Sequence, residues 1–327
     1  MKVIIVGDMH VVPDEIKDSE AVLNLVLETA KERGIENVWF TGDQHHTHSV
    51  IRVEVMNWWR QAFAKLSEAK IGSTALVGNH DQHNPGSPVH AMMAYSDMDD
   101  VYIVDKPEHF GKGVLMVPYV HTEQEFIDAC NEFRGYTKTV FCHQTFNGAK
   151  YENGFYAKDG FEASKIPQVN VISGHIHSGM EFDKVWYVGS PRWRTLGDAN
   201  QERFIWVVEF SEDGDILSRE GISTGGVCKR FYHMVDTPDN LVDISVIQKP
   251  HRYQVDVKGP ADFCHARKAA LKAAGARVRT FPEHVSTKSV KESDGIDVAF
   301  GKFLDVFVAR NGTDSNVLRQ MAKERLS

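Results

Sequence analysis

Four short apolar runs in this chain each stop at a glycine that is followed at once by a metal-seeking side chain. Residues 3–6 run into Gly7-Asp8-Met9-His10, 38–41 into Gly42-Asp43, 75–77 into Gly78-Asn79-His80-Asp81, and 171–173 into Gly174-His175-Ile176-His177. A fifth run, 139–142, ends directly in His143. Short β-branched runs closed by glycine are the pattern of buried strands entering tight loops. The carboxylates and imidazoles are therefore expected to gather at one edge of a sheet, where a metal-dependent site would stand.

The segments between these runs have helical spacing. In 18–33, Val22, Leu25, Val26 and Ala30 share a face and Gly34 sits where a C-cap belongs. Residues 53–69 carry Val55, Trp58, Trp59, Phe63 and Leu66, and the Trp pair is read as helix packing; 124–133 gives a third helix. Strands are expected at 2–7, 37–41, 74–77, 114–118, 138–142, 169–173, 185–188 and 204–210. The early part reads as βαβ units, which favours parallel pairing. The later strands are spaced as in hairpins, so the expectation is a mixed α/β (α+β) sheet system flanked by helices.

Composition bounds the rest. The 327 residues allow one large core and a smaller second unit. No apolar run approaches the roughly 20 residues that cross a bilayer. The first residues enter a strand without a basic or apolar leader, so a cytoplasmic location is expected. Cys130, Cys142, Cys228 and Cys264 are scattered and read as reduced, packed thiols. Net charge is −8, but unevenly spread: residues 1–227 carry 20 Lys and Arg against 33 Asp and Glu, and 228–327 carry 17 against 12. An acidic part bearing the metal-seeking residues thus precedes a basic one. Flexible residues 223–226 suggest a boundary there. Beyond it, 253–257 and 277–281 read as strands and 261–274 as a basic helix. Residues 298–309 and 315–326 read as terminal helices, the first unusually apolar.

Asp8, His10, Asp43, Asn79, His143, His175 and His177 offer carboxylate, imidazole and amide oxygen with no thiolate, a set suited to Mn²⁺, Fe²⁺ or Zn²⁺. Seven donors exceed what one ion in an open catalytic site takes from protein, so two ions sharing a carboxylate is the simplest solution. Two ions roughly 3.5–4 Å apart can clamp a phosphoryl group and activate water.

Motif for motif, these residues resemble the calcineurin-like metallophosphoesterases, over about residues 1–210. The resemblance implies a β-sandwich flanked by helices. It implies that Asp8, His10 and His177 hold one ion, that Asn79, His143 and His175 hold the other, and that Asp43 bridges them. His80 is left to meet the scissile phosphate and protonate the leaving oxygen, a task suited to imidazole. The arginine-containing run of the protein phosphatases is absent after Asp43. Instead, His46 stands where SbcD-type DNA repair nucleases carry a residue that orients the catalytic histidine, with His45 and His48 read as loop histidines. Tyr187-Val188-Gly189-Ser190-Pro191 resembles a stretch of the same nucleases, which implies a substrate-facing loop with Ser190, Arg192 and Arg194 as substrate contacts. Phe146, Tyr151, Phe155 and Tyr156 lie in a loop that could stack on bases.

The resemblance implies three parts: a nuclease domain (1–227), a small α/β capping domain that meets DNA (228–290), and C-terminal helices that bind a partner (291–327). The expected function is that of a DNA exonuclease or endonuclease subunit in recombination, repair or degradation. It would use two divalent ions, most readily Mn²⁺, act with an SbcC-like coiled-coil ABC-type ATPase, and form a homodimer. The competing reading is a small-molecule phosphodiesterase of the cyclic-nucleotide kind.

Overall fold

A computed structural model of the chain describes residues 1–84, 87–111, 113–151 and 154–283. The expected terminal helices at 298–309 and 315–326, and the partner-binding segment 291–327 as a whole, lie outside the described residues. Two compact units emerge. One combines Met1–His233 with Ile247–Gln254; the other takes Met234–Val246 and, among the described residues, 255–283.

The first unit holds two six-stranded mixed sheets. The strands of the first are β1 (Lys2–Val6), β2 (Asn37–Phe40), β3 (Gly72–Leu76), β4 (Val101–Val104), β11 (Phe204–Phe210) and β12 (Ile216–Ser223), in the order β12-β11-β1-β2-β3-β4. Strands β1 to β4 are parallel, while β11 pairs antiparallel with β1 and with β12. The second sheet is β5 (Glu108–Phe110), β6 (Val114–Val117), β7 (Thr139–Cys142), β8 (Asn170–Ser173), β10 (Val185–Tyr187) and β9 (Met180–Phe182), in that order. Its central strands β6, β7, β8 and β10 are parallel.

Side-chain alternation explains why the strand runs are apolar without interruption. Val3, Ile5, Trp39, Leu76, Met116, Phe141, Ile172 and Trp186 point between the sheets and form one core. Their neighbours Ile4, Val6, Val38, Phe40 and Ala75 face helices α1 (Ile16–Arg33) and α2 (Val53–Glu68), where Trp58, Trp59 and Phe63 pack. On the other side, Leu115, Val117, Val140, Cys142 and Val171 cluster with Phe126 of α3 (Glu123–Glu132). A strand covered on both faces loses water from both side-chain sets, so alternation disappears from its sequence. The result is the expected β-sandwich flanked by helices. Gly34 caps α1 at φ 62°, its N–H donating to Ala30 O, and Thr122 with Glu125 forms a capping box on α3.

The remaining strands, β13 (Phe231–Asp236), β14 (Arg252–Gly259) and β15 (Arg277–Pro282), make a three-stranded sheet, with helix α4 (Ala261–Ala273) packed on β15. All four cysteines are free and buried. Among the described residues no helix is long and apolar enough to cross a membrane.

Candidate metal centre

The parallel strands of both sheets end at the same rim, the carboxyl edge where open α/β sheets place their ligands. Here β1 delivers Asp8 and His10, β2 delivers Asp43, β3 delivers Asn79 and His80, β7 delivers His143, and β8 delivers His175 and His177. All seven expected donors converge. Asp8, His10 and His177 bring three donor atoms together, and so do Asp43, His143 and His175. Asn79 joins the second group, its Oδ1 lying 2.8 Å from His175 Nδ1 and 3.1 Å from His143 Nε2. Asp43 stands between the groups, with Oδ2 3.3 Å from His10 Nε2 and 3.3 Å from His143 Nε2.

The tautomers implied by the hydrogen bonds show what the centre is built to hold. His10 Nδ1 donates to His45 O at 3.2 Å, which leaves Nε2 as a lone pair. That lone pair faces His177 Nε2 at 2.9 Å and Asp43 Oδ2. His143 Nδ1 donates to Thr41 O at 2.8 Å, and its Nε2 then faces Asp43 and Asn79. Acceptors meeting acceptors in a buried place call for a cation. Without one, protons stand in: burial opposes charge on His143, but the Asp43 and Asp8 carboxylates overcome it and raise the imidazole to about 9. Burial would raise Asp43, yet the charge of His143 beside it holds it well below the usual carboxylate range. Burial drives His175 down to about 3 and His10 well below its ordinary value. A hard or borderline divalent ion fits this oxygen and imidazole set.

The donors are held by a second layer. Thr41 Oγ1 donates to Asp8 Oδ1 at 2.7 Å, and the His175 N–H to Asp8 Oδ2 at 2.7 Å. The His80 N–H donates to Asp43 Oδ1 at 2.8 Å. Asp81, fully buried, gathers the N–H groups of Gly78, Gln44 and His45 and the His45 ring, tying the β2 loop to the β3 loop. Asp43, His10 and His175 take positive φ of 53°, 41° and 76°, a conformation that non-glycine residues adopt only when their surroundings impose it. Thr41 and Asp81 carry no sequence signal of these roles, because Thr41 holds a donor from another strand and most of Asp81's partners lie on the loop after β2.

His80 stands at the mouth of the centre. Its Nδ1 donates to the main-chain carbonyl of His46 at 2.7 Å, so Nε2 is free to carry a proton. His46 thus meets His80 through its backbone, its ring lying parallel to that of His80 at 5.7 Å. His48 stacks closer, at 4.3 Å. His45, read as a loop histidine, stands on the loop but is buried between Asp81 and Tyr95 Oη. Tyr119, outside every motif, stacks over His175 at 5.8 Å.

Three expected substrate contacts are corrected. Arg192 is 1 % exposed; its guanidinium donates to Met9 O, to His10 O at 3.1 Å and to Glu15 at 3.3 Å, so it braces the first donor loop from behind. Ser190 is buried, its Oγ turned back on the Arg192 main chain, as a Gly-Ser-Pro turn requires. Phe146 is fully buried against Phe126 and Tyr187, whereas Phe155 and Tyr156 are exposed. Arg194 also reaches Glu15, its Nε 3.9 Å from the carboxylate, and its charge is felt at His46, which burial and then Arg194 lower to about 4.

Residues 1–179 match the family described as calcineurin-like phosphoesterase. The "Exonuclease subunit 1" of Enterobacteria phage T4 is 26% identical over 231 residues, 64% of this chain and 65% of that protein's length. A solved structure covers 67% of this chain and 98% of its own at 9% identity and a TM-score of 0.43, a likeness too slight to argue from.

Proposed function

The chain belongs to the calcineurin-like phosphoesterase family, and from that premise we propose that it is a dinuclear-metal phosphodiesterase acting on DNA, as a nuclease subunit that works with an SbcC-like ATPase. The observation that carries the reading is the Asp43 carboxylate set equally between two donor groups. Asp8, His10 and His177 would hold one ion, Asn79, His143 and His175 the other, with Asp43 shared. When bound, two divalent ions, Mn²⁺ foremost, supply Lewis acidity toward the phosphoryl oxygens and offset their charge.

The chain's own residues then have distinct tasks. His80, fixed through Nδ1 by the His46 carbonyl, gives the proton on Nε2 to the leaving oxygen. Arg194, whose charge already reaches the His46 ring, takes a non-bridging phosphate oxygen. DNA as substrate is supported by the name of the phage relative, and by His46 standing where the repair nucleases place their orienting residue.

The test is hydrolysis of linear duplex DNA by the purified chain in Mn²⁺, with His80→Ala beside it. Degradation that the substitution abolishes is the expected result. Intact DNA, with turnover retained on bis-p-nitrophenyl phosphate, would move the assignment to a small-molecule phosphodiesterase.

A further inference from the structure

The interior of the sandwich opens at one side. Where β10 and β11 carry Trp186 and Trp206 to the end of the core, a cavity of about 730 Å³ is walled by these two indoles, Phe204 and Arg219. Its lining includes Ser178 and Gly179, the residues directly after the donor His177. The two places are one hydrogen-bonded unit: the Ser190 N–H donates to His177 O at 2.9 Å, and Arg203, also in the wall, donates to the same carbonyl.

The wall has a definite chemistry. Trp186 and Trp206 meet edge to face at 5.0 Å, and Phe204 leans on Trp206 at 5.2 Å. The Trp206 N–H is spent on Val188 O, so Trp206 offers its ring and no donor. The Arg219 guanidinium lies over Trp186 at 4.8 Å and is paired with Glu181. The volume is that of a small-molecule site. A phosphate alone needs no aromatic walls, and an alkyl chain gains nothing from Arg219 and Glu181. A base on its sugar–phosphate uses both, since aromatic side chains stack on any base and a guanidinium attracts phosphate.

We infer that this cavity receives the base of the nucleotide beside the scissile phosphodiester. The inference rests on the nuclease reading above and narrows its substrate to strands whose terminal bases are unstacked, because a paired and stacked base cannot enter.

The experiment measures binding of fluorescein-labelled octathymidylate, and of an abasic spacer with the same phosphates, to His80→Ala protein in Mn²⁺. Stacking of one base is worth about 5- to 100-fold in affinity, so octathymidylate should bind tighter by that factor. Phe204→Leu and Trp206→Leu in the same background should erase the difference while binding the spacer as before, which also controls for folding. Should Trp206→Leu fail to fold, Phe204→Leu and the comparison of the two ligands decide. Equal affinity for both ligands, or a difference that survives both substitutions, overturns the inference. Absence of binding to either does so too. If the parent chain still degrades DNA, the nuclease reading stands; if it does not, both fall together.

Discussion

Gly78→Ala tests why a glycine precedes the donors. A methyl group placed there would lie 2.2 Å from Asp43 Oδ1 and 2.3 Å from Asp43 N. The first contact is 0.8 Å inside the 3.0 Å below which such pairs are essentially never found, and the second involves main chain, so rotating a side chain cannot relieve it. Metal–donor distances tolerate only about 0.2 Å. A displacement several times larger removes Asp43 from both donor groups at once. We expect affinity for both ions to fall on the order of 100-fold, with roughly 1–3 kcal/mol of stability lost in chelator from overpacking. Gly34→Ala is the control: its φ of 62° strains any side chain, but the methyl group would meet nothing within 4 Å. It should lose roughly 1–2 kcal/mol and no metal. Calorimetric titration with Mn²⁺ and guanidine unfolding in EDTA read the two quantities. If Gly78→Ala took up two ions with parental affinity, the idea that the donors fold back onto their glycines would be wrong.

His80→Ala should keep both ions and lose about 10²–10⁴-fold in kcat, whereas Asp43→Ala should empty the centre; metal analysis after gel filtration separates them. Arg192→Ala should cost about 3 kcal/mol in chemical unfolding, because it leaves Glu15 and two carbonyls buried without their main cation. Arg194→Ala should cost far less stability and instead raise KM for DNA. Burial pushes the Cys130 and Cys228 thiols up to about 12, so almost none is thiolate at pH 8. Neither should react with a disulfide reagent until the protein is unfolded, and rapid labelling of the native chain would contradict that burial.

What could be read from the sequence follows from where each residue's partners lie. The strands at 2–7, 37–41 and 138–142 declare themselves because both faces are buried and the runs are uniformly apolar. Strand β12, by contrast, is an exposed edge strand reading Ile-Leu-Ser-Arg-Glu-Gly-Ile-Ser, and edge exposure leaves no apolar pattern. The three-residue strands β5 and β9 are too short to show any period. The seven donors were legible because each follows closely on the end of an apolar strand run. Arg192 and Arg194 were not distinguishable, being two arginines two residues apart. Only the fold brings both onto Glu15, 177 positions before Arg192, and buries Arg192 the more completely. Likewise, nothing in Gln44-His45-His46-Thr47-His48 says which ring is buried, since a loop has no period.

Removing the metal should leave the chain folded. In small metallodomains the ligands have no other support, and apo chains unfold. Here three of the donors have tethers of their own: Asp8 on Thr41 and the His175 N–H, His10 on the His45 carbonyl, His143 on the Thr41 carbonyl. Three apolar clusters build the layers without the centre's help. The ions then stabilise only by mass action, about 2.7 kcal/mol for each site at a free concentration 100 times its Kd. Melting temperature should accordingly climb with the logarithm of Mn²⁺ concentration from a folded baseline in EDTA, and far-UV circular dichroism should not change on chelation. If EDTA abolished the sheet signal, the donors would be organised by the ions, and the hydrogen bonds described above would be their consequence.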